Sequence, residues 1–262
     1  MPDKIDDFWI EFNKHTVTAS QGGVPVLFRG EPTDGYELIP SLGRGTSTNI
    51  IGHVSLFEDD LISEFKRISA PVLNPSPTTD FEWLFLAQHY GLPTRLLDWS
   101  TNPYVGLFFA VEKDDANDAS LYVVSQQISD QYELFDYRTA DVKPENKKGI
   151  LKVFALQGGQ QDVIFIRPKY TDQRYMNQKS VFSCHSDPFK ALSLPRLNKL
   201  LIKKEWKPAI RDHLRIIGIA HSYIYPSLEG VAHEVKITYF DPVKNGKRQI
   251  VTVVSDLPPL RE

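Results

Sequence analysis

Residues 87–103 read AQHYGLPTRLLDWSTNP, and this stretch fixes the local geometry on both of its sides. An apolar run, Phe81 to Phe85, leads into it, and a second, Tyr104 to Val111, leads out. Gly91-Leu92-Pro93 is a turn: glycine accepts a left-handed backbone, and proline cannot continue a helix. Asn102-Pro103 is a helix start, with asparagine as N-cap and proline at the first helical position. A helix, a turn, the strand TRLLDW and a second helix running to about Glu112 are thus compressed into one short span. So many polar side chains between two core-forming runs either lock the turn or line a pocket. Arg95, Asp98 and Asn102 are expected to hold the turn and the helix start. Gln88, Tyr90, Ser100 and Thr101 are expected to face a pocket, and His89 fits either role.

Periodicity places the remaining elements. Apolar residues at helical spacing predict helices over 4–16 and 54–68, and Asp80 is the expected N-cap of the helix FEWLFLAQHY. VPVLFRGE (24–31), ASLYVVS, VFAL, DVIFIRP, SVFSCH and QIVTVVS read as strands, and RLNKLLI as strand or helix. Lys207 to Ile217 and PSLEGVAHEVKITYF read as helices, residues 126–150 as a polar surface excursion, and EKDDAND as an exposed turn. Strands follow one another in the second half, and helices concentrate in the first half and near the end. That segregation predicts an α+β fold with a mixed, mainly antiparallel sheet. The expected organisation is an N-terminal helix over 1–20 and one globular unit over 21–262.

The net charge of −3 gives no global field for recruiting nucleic acid or an anionic membrane. A single cysteine, Cys184, excludes an internal disulfide, and its apolar strand predicts an inert buried thiol. A charged N-terminus and apolar runs too short to span a bilayer complete the expectation of a cytoplasmic protein without membrane contact. The seven histidines are scattered, with no H-E-x-x-H and no Cys/His spacing, so no metal is expected. Neither G-x-x-x-x-G-K-S/T nor G-x-G-x-x-G nor G-x-S-x-G occurs.

Two further stretches call for an explanation. Arg29 ends the apolar strand LFRGE and needs a partner. It either pairs with Glu31 or Asp98, or its guanidinium fork grips a phosphate or carboxylate at a pocket mouth. In RYMNQKSVF (174–182), Arg174 and Gln178 share a face if the segment before Ser180 is helical.

LFRGE, LAQHYGLPTRLLDWSTNPYVGLFFAVE, RYMNQKSVF and LRIIGIAHSYIYPSLEGVAHEVK resemble, in that order, the blocks of FRG-domain proteins of bacteria and phages, named for a tripeptide found here as Phe28-Arg29-Gly30. The likeness spans about residues 20–237. LFRG and LDWSTNPYVGLFFA are also similar, more distantly, to the first two core elements of ADP-ribosyltransferases of the Arg-Ser-Glu type. That likeness implies an ADP-ribosyltransferase-like core flanked by helices, with NAD as the substrate. Arg29 would hold the phosphates, and Gln88, Tyr90, Ser100 and Thr101 would line the nucleotide site. Gln178 would stand at the reacting ribose, where those enzymes carry a glutamate. The chain departs from the pattern there, because no Glu-x-Glu or Gln-x-Glu precedes a later strand. The implied activity is ADP-ribosyl transfer or NAD glycohydrolysis in phage–host conflict, acting on a nucleotide-type small molecule and a protein target. The alternatives are a recognition or sensor module without chemistry, and a hydrolase or nuclease using His89 and Asp98.

Overall fold

The computed structural model describes residues 4–20, 26–44, 54–113, 115–125, 134–136, 163–170, 172–194 and 197–247. Helix α1 (Ile5–Ser20) precedes strand β1 (Val26–Glu31). Helices α2 (Val54–Ser69) and α3 (Asp80–His89) lead to β2 (Leu96–Ser100), and α4 (Pro103–Val111) leads to β3 (Ala119–Ser125). Strands β4 (Leu134–Asp136) and β5 (Val163–Arg167) are followed by the short helix α5 (Gln173–Gln178) and by β6 (Ser180–His185). Strand β7 (Leu197–Ile202) comes before α6 (Lys207–Ile216), α7 (His221–Ile224) and α8 (Leu228–Val235). A π-helical turn, Lys236–Phe240, carries α8 into α9 (Asp241–Lys244). RLNKLLI is thereby a strand, while VFAL and QIVTVVS and most of 126–150 lie outside the described residues.

The strands form one sheet in the order β4-β5-β6-β2-β1-β3-β7, antiparallel throughout except for the parallel pair β4–β5. This is the α+β, mainly antiparallel architecture predicted. Its central strands are buried on both faces, which is why LFRGE and TRLLDW read as apolar runs rather than alternating ones. In β1, Val26 and Phe28 join a core with Phe8 and Phe12 of α1, Leu107 of α4 and Ile210 of α6. Leu27 points the other way, to Leu38, Leu97, Tyr122, Leu192 and Leu194. A third cluster seats Phe81 and Leu84 of α3 on Leu96, Ile164 and Phe182.

The N-cap of α3 is Thr79, not Asp80. Its hydroxyl accepts from the Glu82 amide at 3.3 Å, and the Glu82 carboxylate accepts from the Thr79 amide at 3.2 Å. A capping box satisfies two amides where an aspartate cap would satisfy one, and Asp80 falls in the first helical turn. The start of α4 is as predicted, with Asn102 accepting from the Tyr104 amide at 3.0 Å and Pro103 at the first position. Gly30 and Gly106 let α4 lie directly on β1: a Cβ at Gly30 would stand 2.2 Å from both Ala110 N and Gly106 O.

Cys184 is fully buried, and burial pushes its thiol up to about 12, so it is inert as expected. Among the described residues no helix is long and apolar enough to cross a membrane, and no cluster of histidine, cysteine and carboxylates could hold a metal.

Candidate functional site

A cleft of about 240 Å³ opens where the end of β1, the end of β2, the C-terminus of α3, the end of α4 and helix α5 meet. That is just below the about 300–1,000 Å³ of pockets that enclose drug-sized ligands. Antiparallel pairing builds it. Phe28 lies opposite Ser100, and Ser100 opposite Ser180, which brings β1, β2 and the start of β6 side by side. Lys179 closes α5 in a left-handed conformation (φ 49°), so the chain passes from Gln178 straight into β6 and sets α5 against the mouth. Arg174 and Gln178 both line the cleft, as a helical reading of 173–178 requires.

Arg29, Gln88, Ser100 and Gln178 are brought together here, with His89, Asp98, Glu112, Lys113 and Arg174. Tyr90 and Thr101 are not. Tyr90 caps α3 on the outside, 71% exposed, because the turn at Gly91 directs the chain away from the cleft. Thr101 follows the last residue of β2 and gives its amide to the Lys179 carbonyl at 3.1 Å.

Much of this cluster is internally bonded. Arg29 Nε and Nη2 donate to Glu31 at 2.8 and 2.6 Å, and Nη1 donates to the Asp98 carbonyl at 2.7 Å. Both partners foreseen for a structural Arg29 are therefore used, Asp98 through its backbone. The Ser100 hydroxyl donates to the Gln178 carbonyl at 2.6 Å and accepts from the Asn102 amide at 2.9 Å. Gln178 Nε2 donates to the Ile224 carbonyl at 3.1 Å. Gln88 accepts from the Thr94 hydroxyl and donates to the Asp98 carboxylate at 2.8 Å.

The roles expected for Arg95 and Asp98 change accordingly. Asp98 does not bond the turn; its carboxylate is exposed at the cleft and receives Gln88. Arg95 is 1% exposed and pairs with Glu58 of α2 at 2.6 Å, while its Nη1 donates to the carbonyls of His185 and Ser186 at 3.1 Å. Arg95 thus ties α2 to the sheet.

His89 has Asp172, 3.6 Å away, as its acidic neighbour rather than Asp98, so the pair required by a His89–Asp98 hydrolase is not assembled. Burial, then the nearby Arg174 charge, hold the His89 pKa below its usual value. Arg174 donates through Nη1 to the His89 carbonyl at 3.3 Å, and its guanidinium lies 5.1 Å from the centre of the Tyr225 ring.

Glu112 is the residue the sequence concealed. EKDDAND reads as an exposed turn, yet the Glu112 side chain is only 10% exposed and lines the cleft. The signal was its spacing: Glu112 is four residues past Phe108, on the buried continuation of α4. Tyr225 donates to its carboxylate at 3.1 Å, and His221 Nε2 lies 3.6 Å from it.

An α+β sheet protein with a mixed-charge cleft at the ends of its central strands is the class that the fold and site define. Residues 24–119 match the family model of the FRG domain. The match takes in β1, α3, β2 and α4, while α5, β6 and α7 lie beyond it. No curated protein and no solved structure matches the chain.

Proposed function

We propose that this cleft binds a nucleotide of the NAD type, with the nicotinamide-riboside end inside and the phosphates toward Arg174 and Lys113. The observation that carries this reading is the convergence of Arg29, Gln88, Ser100 and Gln178 with two carboxylates and two further cations on one cleft. A dinucleotide offers matching chemistry: anionic phosphates for a guanidinium, ribose hydroxyls for carboxylates and amides, and a flat ring for Phe109. Arg174, with only Nη1 engaged by the described residues, replaces Arg29 as the main phosphate donor. Arg29 adds positive field while holding Glu31. The activity that follows is cleavage at the nicotinamide ribose, as an NAD glycohydrolase or ADP-ribosyltransferase with a protein acceptor. Phage–host conflict is the biological setting.

One observation favours a recognition module instead: the hydroxyl of Ser100 and the amide of Gln178 are committed to backbone carbonyls. Calorimetry and thermal shift with NAD, ADP-ribose and nicotinamide decide the matter, with Arg174→Ala as control. Arg174→Ala is preferable to Arg29→Ala, which would strand Glu31 in the interior. Binding to the folded state raises the melting temperature by mass action. Micromolar NAD binding weakened at least tenfold in Arg174→Ala is the expected result, and no binding of any of the three ends the nucleotide reading.

A further inference from the structure

Two carboxylates are fully buried among the described residues, Glu31 and Glu58, and each holds an arginine, Arg29 and Arg95. Glu112, 10% exposed in its side chain, holds none. Its nearest cation, Lys113, is 4.0 Å away and 72% exposed, where water screens it. The groups packed against Glu112 are the phenol of Tyr225 and the imidazole of His221. Burial, then the His233 ring tilted against it with centroids 4.0 Å apart, hold the His221 pKa below its usual value, so that imidazole is neutral near pH 7. A carboxylate placed out of water with neutral partners is costly as structure. Its position is explained if the group serves the cleft it lines.

We propose that Glu112 is the acid–base group of the cleft, with Tyr225 and His221 as positioning residues, and that the reaction is hydrolysis of an N-ribosyl bond. The inference rests on the nucleotide reading above. In the step, the Glu112 carboxylate takes a proton from a water molecule whose oxygen forms a bond to C1′ of the nicotinamide riboside. The C1′–N bond breaks, and its electron pair leaves with the pyridinium nitrogen, which becomes neutral nicotinamide. The other product is ADP-ribose, and the proton on Glu112 passes to solvent. NAD and water thus give ADP-ribose, nicotinamide and one proton, with no other reactant. The same carboxylate, while ionised, opposes the positive charge that grows on the ribose as that bond lengthens. Asp98 suits this work less: it is exposed, and it already accepts from Gln88.

Tyr225 fits the positioning role because its phenol donates to the carboxylate at 3.1 Å and fixes that oxygen's place in the cleft. Its ring is packed by Arg174 and by His221, with centroids 4.6 Å apart in the latter pair. The charged or titratable groups facing Glu112 are therefore Tyr225 and His221, with His233 behind His221, Arg174 over Tyr225, Lys113 beside it in the chain, and Asp98 on the same cleft.

The test uses the full chain, NAD as probe, and the variants Glu112→Gln and Tyr225→Phe. Glu112→Gln keeps an acceptor for Tyr225 and for a ribose hydroxyl, so NAD binding is expected to be retained while nicotinamide release falls about 10²–10⁴-fold. Tyr225→Phe keeps the ring and removes the donor, so kcat is expected to fall while KM for NAD is unchanged. Nicotinamide release undiminished in Glu112→Gln overturns the proposal. NAD binding by the wild type without nicotinamide release overturns it too, but leaves the nucleotide reading standing. Absence of NAD binding removes both. Should Glu112→Gln melt early, Tyr225→Phe carries the test, and an undiminished kcat then counts against it.

Discussion

At the residue scale, Arg95 and Tyr90 separate what is structural in residues 87–103 from what is not. Arg95 brings a guanidinium into the core and is satisfied by Glu58 and two carbonyls. Removing it leaves Glu58 buried without a partner, and burial already pushes that carboxyl above its usual range. Arg95→Ala is expected to cost about 3–5 kcal/mol in urea unfolding, as for other broken buried pairs. Tyr90→Ala, at a 71% exposed position, is expected to stay within about 0.5 kcal/mol of the wild type. Equal losses in the two variants would refute this division. The sequence shows that Arg95 must have a partner, because it stands inside an apolar strand. It does not show which one, since Glu58 lies 37 positions upstream on a different helix.

At the scale of elements, local chemistry was readable wherever it is confined to a few residues. Asn102-Pro103 announces α4, and the helical spacing of Phe8, Phe12 and their neighbours announces α1. Thr79-x-x-Glu82 announces the true start of α3, although the adjacent Asp80 competes for the same reading. The contact between β1 and α4 was not readable. It depends on two glycines 76 positions apart in sequence being stacked, with a Cβ at Gly106 only 2.7 Å from Phe28 Cβ. Because the atoms facing Gly30 are helix backbone, they cannot rotate aside, and β1 or α4 must shift as a whole. Gly30→Ala is therefore expected to destabilise by at least the about 1–3 kcal/mol typical of overpacked cores. Arg29 and Phe109 sit on the shifted elements, so ligand binding should weaken as well. A variant melting with the wild type would show that the layers are looser than their separation implies.

At the scale of the whole molecule, strand order governs what the cleft contains, and strand order is carried by long-range pairing that single-sequence patterns do not encode. Strand β2 lies between β1 and β6, so residues near 29, 98 and 178 meet although they are far apart in the chain. Sequence resemblance supplied Arg29, Ser100 and Gln178, but Glu112 and its neighbours needed α7 in place. The same compaction is expected to make the molecule sensitive to acid. Among the described residues four histidines, His15, His89, His185 and His221, have pKa values held below the usual one, in each case with burial as the largest cause. His185 is the extreme case: 2% exposed, 3.1 Å from the Ser183 hydroxyl, and near the Arg29 and Arg95 charges, it is pushed down to about 4. The unfolded chain takes up a proton there as pH falls through 6.5, whereas the folded chain does so only near 4. Between those values the unfolded state binds more protons, so stability falls as pH falls, and the loss is complete below about 4. For His185 alone the loss is on the order of 3 kcal/mol. His185→Gln removes that ionisation while keeping a polar partner for Ser183. Urea midpoints measured at pH 7 and at pH 4.5 should therefore differ less in His185→Gln than in the wild type. The residual slope reports the other three histidines and the carboxylates. If the two proteins lose stability in parallel, His185 is not held neutral by the fold, and the acid sensitivity belongs to the other groups.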